Sequence, residues 1–272
     1  MSLIQVIILG IVEGITEFLP ISSTGHMALV ASFMNLSKDK QTQEFISLFI
    51  ENIQFGAIIS VLFIYWRKFI DFKSYRFYLK LLIAFIPSVI VGLLLKERID
   101  EILHQPLFIA IVMFLGGILL IFVDNWFKNS ILEEERQITY KNSLLIGCFQ
   151  LLAIVFPGFS RSAATIIGGM QQKLTRKLAA EFSFFLAVPT LAGAFAKSLW
   201  DAWRKTPEIL NHHNVMMLLT GNIIAFIIAI IAIKAFIAYL TKHGFRVFGY
   251  YRIIVGMAII LLLLFGKNLT IL

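Results

Sequence analysis

The chain holds one cysteine, Cys148, in 272 residues. An internal disulfide and a cysteine metal site are therefore both excluded. Cys148 lies in an apolar run and reads as a small buried hydrophobe. Charge is scarce as well: 15% of residues are charged, against about 25% in soluble domains. There are only 6 prolines, and no Ser/Gly/Pro-rich linker or long polar stretch divides the chain. Before Arg67 the only basic residues are Lys38 and Lys40. A cleaved signal peptide needs a basic start and small residues at a cleavage site. Residues 2–12 have neither and are expected to stay in the mature protein.

What fills the chain instead is apolar. Hydrophobic residues make up 59%, with 26 Phe, and the mean hydropathy is +0.86. The formal net charge of +8 does not indicate nucleic acid, because the basic residues sit in short loops between apolar runs, where the positive-inside rule puts them. A bilayer core needs about 20 apolar residues per helix. Residues 47–66, 78–96, 106–123, 182–200, 215–240 and 250–266 meet that length. Residues 2–34 and 142–170 differ: each is interrupted near its middle, at FLPISSTGH and FPGFSRS. Non-helical backbone at membrane depth survives only where protein or water covers it. The expected fold is an all-α integral membrane protein, a polytopic bundle of six full spans plus two re-entrant broken-helix hairpins.

The two breaks align at a shift of 137 residues, which puts Gly10 on Gly147, Glu13 on Gln150, Pro20 on Pro157, Ser23 on Ser160, Gly56 on Gly193 and Ala57 on Ala194. Each half, 1–137 and 138–272, then reads as one hairpin followed by three spans. Three crossings are odd, so the second half must insert upside-down, which is the inverted-topology repeat whose broken helices meet near the midplane. Parity groups the loops 67–77, 124–141, 171–181 and 241–249, with Lys73, Lys80 and Arg252 counted on their side. That side carries more Lys and Arg than the side of Lys38, Lys40, Lys96, Arg98, Lys197, Arg204, Lys205 and Lys267, which favours it as cytoplasmic.

Ionisable residues at membrane depth are costly and mark functional sites. Glu13, Glu17, His26 and Arg161 fit that description. Glu13 and Glu17, spaced i, i+4, share one helix face. Two such carboxylates suit proton transfer or a divalent cation. Pro20 stops the first arm, and Ser22, Ser23 or Thr24 can cap the second, whose free N–H groups suit phosphate. His26, three residues after Ser23, gives a nucleophile–base pattern. In the second break, Arg161 is read as the only arginine inside an apolar segment, and its fork matches two phosphate oxygens. Ser160, Ser162 and Thr165 flank it, and Gly158 lets backbone approach a ligand. Gln54 lines the site or packs a helix. GGM and LAGA read as small-residue helix contacts. His104, His212, His213, His243 and the EEER run at 133–136 read as solvated, and Trp66, Trp126, Trp200 and Trp203 as an aromatic belt.

The strings EGITEFLPISSTGH (13–26) and PGFSRSAATI (157–166) resemble the two signatures of the undecaprenyl-diphosphate phosphatase family, also known for bacitracin resistance. The likeness continues through EFSFFLAVP (181–189) and FGYYRIIVG (248–256). It implies hydrolysis of undecaprenyl diphosphate to the monophosphate carrier lipid for peptidoglycan synthesis, in a bacterial inner membrane, at a site open to the periplasm. It further implies catalytic roles for Glu13, Glu17, Ser23, His26 and Arg161, and phosphate binding by Ser160, Ser162 and Thr165; Ser22, Thr24 and Gln54, read from their places in the break and in a span, are further candidates for substrate binding. A divalent cation, magnesium or calcium, is implied with Glu13 and Glu17 as its ligands. Partners are the polyprenyl diphosphate and membrane lipid, with room for a homodimer and no nucleic acid. One departure stands out: Ala163 replaces the glycine of the usual SRSG, which strains the loop if φ is positive there and is harmless in a first helical turn. Either Ser23 attacks phosphorus with His26 handling the proton, or an activated water attacks and Ser23 only positions phosphate. The rival reading is a lipid-phosphate flippase or secondary transporter, which shares inverted repeats and broken helices; the Ser–His pair argues against transport alone.

Overall fold

A computed structural model of the chain describes residues 1–34, 36, 40–71, 74–95, 101–102 and 105–265. Lys38, Lys73, Lys96, Arg98, His104 and Lys267, used above, lie outside these. The described regular structure is helical, with one isolated bridge between Leu132 and Leu174. In chain order the helices are α1 (Leu3–Thr16), α2 (Ser23–Phe33), α3 (Lys40–Asn52), α4 (Gln54–Ile64), α5 (Trp66–Ile70), α6 (Tyr75–Leu94) and α7 (Pro106–Trp126). The second half supplies α8 (Tyr140–Val155), α9 (Arg161–Gln171), α10 (Arg176–Lys205), α11 (His212–His243) and α12 (Arg246–Leu264).

Among the described residues, six helical stretches are long and apolar enough to cross a membrane: Thr42–Ile64, Tyr75–Leu94, Pro106–Trp126, Arg176–Lys205, His212–His243 and Arg246–Leu264. They overlay the six spans expected from hydropathy. The first of them bends at Ile53, between α3 and α4. The outer surface is apolar: Ile223, Ile227 and Ile231 line one exposed face of α11, and Leu93, Leu94, Ile254 and Leu264 are exposed too. Soluble monomers rarely expose such contiguous patches, so the chain is a multi-span membrane protein. Trp66, Trp126, Trp200 and Trp203 are exposed at helix ends, as a belt at the lipid–water boundary requires.

Helices of the two halves interlock rather than stack side by side. α1 packs along α11, α8 along α6, and α7 along α12. Small residues permit the close approaches. A Cβ on Gly10 would meet Ile224 and the Gly221 carbonyl, and one on Gly147 would collide with the Ala84 carbonyl. Gly56 packs on the backbone of Asn222, and its N–H donates to the Asn222 side chain at 2.6 Å. Gly193 has only the tip of Phe85 nearby, so its match to Gly56 is not a shared packing role. The aromatic core runs through Phe18 on Phe184 and through Phe69, Phe77 and Phe185 with Tyr65.

Three expectations are corrected here. Cys148 is exposed on α8 rather than buried, since that face of the helix looks outward. Lys80 is not a loop charge: it is buried in α6 and donates to the Glu135 carboxylate at 2.7 Å. Glu135 is therefore not a solvated member of the EEER run; its side chain is mostly covered, and the run folds back over the end of α6.

Candidate active site

Both breaks end in the same local geometry. Ser22 is the N-cap of α2 and Ser160 the N-cap of α9, with φ of 71° and 79°. Positive φ is strained for any residue with a Cβ and persists only where the surroundings enforce it. Each serine Oγ accepts from the N–H three residues on, Gly25 and Ala163, at 3.3 Å. Each carbonyl accepts from the next N–H, of His26 and Ala164. Ser22, not Ser23, is thus the counterpart of Ser160, one residue out of register with the 137-residue shift. The intrahelical pattern leaves the N–H groups of Ser23 and Thr24, and of Arg161 and Ser162, without helical partners. Gly158, at φ 97°, precedes the second cap, and a Cβ there would lie 2.5 Å from the Ile109 carbonyl. Ala163 sits inside the first turn of α9, where alanine carries no strain.

The breaks meet through one side-chain relay. Arg161 Nη2 donates to Glu17 Oε1 at 2.9 Å, and Ser23 Oγ donates to Glu17 Oε2 at 2.7 Å. Glu17 and Arg161 are both largely buried. Nη1 of Arg161 reaches the Ser183 carbonyl at 3.1 Å, and its guanidinium lies 5.8 Å from the centre of the Phe18 ring. Ser162 Oγ donates to the Leu19 carbonyl at 2.7 Å. Its own oxygen then accepts from Ser160 at 3.0 Å. Thr165 donates to the Arg161 carbonyl at 2.9 Å and shares a 2.6 Å contact with the Ser183 hydroxyl. A hydroxyl network therefore joins α9 to both the first break and α10.

Glu13 is fully buried, and no hydrogen-bond donor reaches either carboxylate oxygen among the described residues. The charged groups that act on it are Glu17 and Arg161. Gln150, its partner in the 137-residue alignment, differs: its Nε2 donates to Ser88 and Thr190, and only its oxygen lacks a partner among the described residues.

His26 lies beside this relay rather than in it. Nδ1 is 2.7 Å from the Ser22 carbonyl and Nε2 is 2.8 Å from the Tyr251 hydroxyl. A carbonyl only accepts, so Nδ1 carries the hydrogen, and in the neutral ring Nε2 accepts from Tyr251. The two rings are nearly parallel, 3° apart. The expected Ser23–His26 hydrogen bond is absent among the described residues: Ser23 spends its hydrogen on Glu17. No described hydrogen bond joins Gln54 or Thr24 to the cluster, although Thr24 contributes its backbone to the start of α2.

Sequence reasoning missed two residues, adjacent in α12. Tyr251 is one. The other is Arg252, counted above as a loop charge, which is 0% exposed. It overturns the reading of Arg161 as the only arginine within an apolar segment. Its donors reach the carbonyls of Met113, Pro20, Phe159 and Gly158. The FGYYRIIVG string held the signal, but the arginine stands near the start of its span, where a guanidinium is ordinarily expected to snorkel to water.

Two broken helices with matching serine caps, joined by a buried Glu–Ser–Arg relay, are the geometry against which relatives can be weighed. Residues 6–258 match the model of the family described as bacitracin resistance protein BacA. The chain belongs to this BacA family. A protein named undecaprenyl-diphosphatase from Flavobacterium johnsoniae is 50% identical over 272 residues, covering 100% of both chains. One of the same name from Porphyromonas gingivalis is 45% identical over 287 residues, again covering 100% of both. Another from Bdellovibrio bacteriovorus is 43% identical over 271 residues, with 99% of each covered. The BacA match takes in both breaks and α12 up to residue 258, so Glu13, Glu17, Arg161, Tyr251 and Arg252 all lie within it.

Proposed function

We propose that this chain is a membrane lipid-diphosphate phosphatase that hydrolyses undecaprenyl diphosphate to undecaprenyl phosphate and inorganic phosphate. It would thereby recycle the carrier lipid for peptidoglycan synthesis and confer bacitracin resistance. The observation that carries this is the contact between the breaks, Ser23–Glu17–Arg161, set among the N-termini of α2 and α9. The names of the full-length relatives support it.

In this reading the diphosphate sits between the two helix starts. The Arg161 fork and the N–H groups of the first turns bind its oxygens and stabilise the charge that develops during transfer. Ser162, braced to the Leu19 carbonyl, and Ser160, which donates to it, offer hydroxyls at the start of α9, and Thr165 holds the backbone of Arg161 in place. Ser23 attacks the terminal phosphorus, and Glu17, 2.7 Å from its hydroxyl, takes the proton. The bond to the bridging oxygen breaks and the lipid monophosphate leaves. A water, activated by the same carboxylate, then releases phosphate from the serine. The proton on Glu17 leaves with the lipid monophosphate before the water step, and His26, tied to the Ser22 carbonyl and to Tyr251, holds the start of α2. In the variant mechanism Glu17 activates the water from the outset and Ser23 only positions phosphate.

The apolar groove bordering the first break, about 410 Å³ and lined by Ile15, Leu19, Phe236 and Phe248, suits a hydrocarbon tail. The unpartnered Glu13 carboxylate fits a divalent cation, magnesium or calcium, with Glu17 as a second ligand. When bound, such an ion neutralises charge on the diphosphate.

We read the chain as two inverted halves, 1–137 and 138–272, each a re-entrant hairpin plus three spans. The exchange of partners, α1 on α11 and α8 on α6, supports this. The charge bias of the loops supports a site open to the outer face of a bacterial inner membrane.

The test is phosphate release by purified protein from a polyprenyl diphosphate in detergent, with and without a chelator. A flippase or transporter has no compartments to work between in detergent and releases nothing. Absence of phosphate from folded, cation-supplied protein refutes the proposal. Rapid quench followed by mass spectrometry separates the two mechanisms, because only nucleophilic attack leaves phosphate on Ser23.

A further inference from the structure

Arg252 is buried without a carboxylate partner among the described residues. Its donors go to main-chain carbonyls instead. Nε reaches Met113 at 3.2 Å, Nη1 reaches Pro20 at 3.1 Å and Phe159 at 2.6 Å, and Nη2 reaches Gly158 at 3.0 Å. The ring of Phe159 lies against it, 5.9 Å from centroid to guanidinium carbon. Burying an unpaired guanidinium is costly, and carbonyls at a helix break can be satisfied more cheaply by water. What the planar fork adds is a fixed spacing: one rigid group holds the carbonyls just ahead of both serine caps.

Orientation follows from the peptide unit. In a trans peptide the C=O and the N–H point in opposite directions. A guanidinium that holds the Phe159 carbonyl therefore turns the Ser160 N–H away from itself. The neighbouring N–H groups of Ile21 and Phe159 are already engaged, with the carbonyls of Leu19 and Phe156. The Ser160 N–H joins those of Arg161 and Ser162 at the start of α9.

We propose that Arg252 is a positioning residue for the phosphatase reaction. It fixes the starts of α2 and α9 relative to each other and aims the Ser160 N–H at the phosphoryl oxygens. This rests on the lipid-diphosphatase reading above. Phosphate release by the wild-type protein is measured first, so that a dead wild type refutes that reading and an active wild type puts Arg252 itself to the test.

Two variants are compared with it. Arg252→Lys keeps the charge but not the fork. Gly116→Ala keeps Arg252 and pushes it, because a Cβ at Gly116 would collide with Nη2. Gly92→Ala in α6, with no heavy atom within 4 Å of the added Cβ, is the matched control. Misplacing catalytic donors by a fraction of an ångström lowers kcat by about 10-fold to 10²-fold with KM changed less than about threefold. That split is expected for both Arg252→Lys and Gly116→Ala, with Gly92→Ala at the wild-type rate. Wild-type kcat in folded Gly116→Ala overturns the proposal. So does activity that merely tracks the folded fraction in thermal unfolding, and so does loss of the folded state by both variants, since Arg252 would then serve stability alone.

Discussion

The two breaks share a backbone and differ in chemistry. Each places a serine at positive φ as the cap of a short helix, and each presents first-turn N–H groups. The first break adds Glu13, Glu17, Ser23 and His26; the second adds Arg161 and two further hydroxyls, Ser162 and Thr165. Neither set suffices. A carboxylate pair alone would repel a diphosphate, and a guanidinium beside helix N-termini would bind one without providing a proton acceptor. The relay from Ser23 through Glu17 to Arg161 sets the proposed proton acceptor directly against the proposed clamp.

The sharpest way to break this comparison is to cut the relay from each side. Arg161→Ala and Glu17→Ala are each expected to lower phosphate release by at least about 10³-fold. Removing one partner of a buried ion pair also costs about 3–5 kcal/mol of stability, so thermal unfolding should shift in both. Near-normal turnover in pure Arg161→Ala would eliminate the clamp. Near-normal turnover in Glu17→Ala would eliminate the proton acceptor.

The serines come next. Ser23 and Ser160 coincide in the sequence alignment, yet the structure gives them different work. Ser23→Ala removes the hydroxyl on Glu17 and is expected to lower kcat by about 10²-fold or more. Ser160→Ala removes a cap, costs about 1 kcal/mol of stability, and is expected to act mainly on KM. Equal effects on kcat from the two changes would leave Ser23 a positioning hydroxyl and water as the nucleophile.

These pairs also show what was legible beforehand. The six spans were, because runs of about 20 apolar residues admit few other fates. The breaks were legible too, since Pro20, Pro157 and Gly158 interrupt runs that are otherwise unbroken. Which residues would touch was harder. His26 follows Ser23 at a spacing that suggests a pair, but a carbonyl and a distant tyrosine take both ring nitrogens. Among the described residues the Arg252 donors reach backbone carbonyls, and carbonyl acceptors leave no trace in side-chain identity. Lys80 and Glu135 stood in separate segments, and only the fold-back of the loop before α8 made them neighbours.

Glu13 and Gln150 offer a finer contrast. The amide nitrogen of Gln150 donates to Ser88 and Thr190 while its oxygen has no partner, and among the described residues neither oxygen of the Glu13 carboxylate has a donor. If Glu13 holds a cation, Glu13→Gln should raise the magnesium or calcium concentration needed for half-maximal activity by about tenfold, the scale of one lost charged contact. An unchanged cation requirement, read from activity against free ion after chelation, would remove Glu13 as a ligand.

The smallest effect is expected where the two breaks differ by a single methyl group. Gly25 in α2 and Ala163 in α9 occupy equivalent places, each donating its N–H to the capping serine. Family resemblance expects glycine at 163. Because Ala163 lies in the first helical turn with its methyl buried, the substitution brings no backbone strain and lowers the entropy lost on folding. Ala163→Gly should therefore leave kcat and KM unchanged and lower stability by about 0.5–1 kcal/mol. A faster enzyme from that change would mean that the methyl group crowds the phosphate, and that the second break needs the bare backbone the first one has.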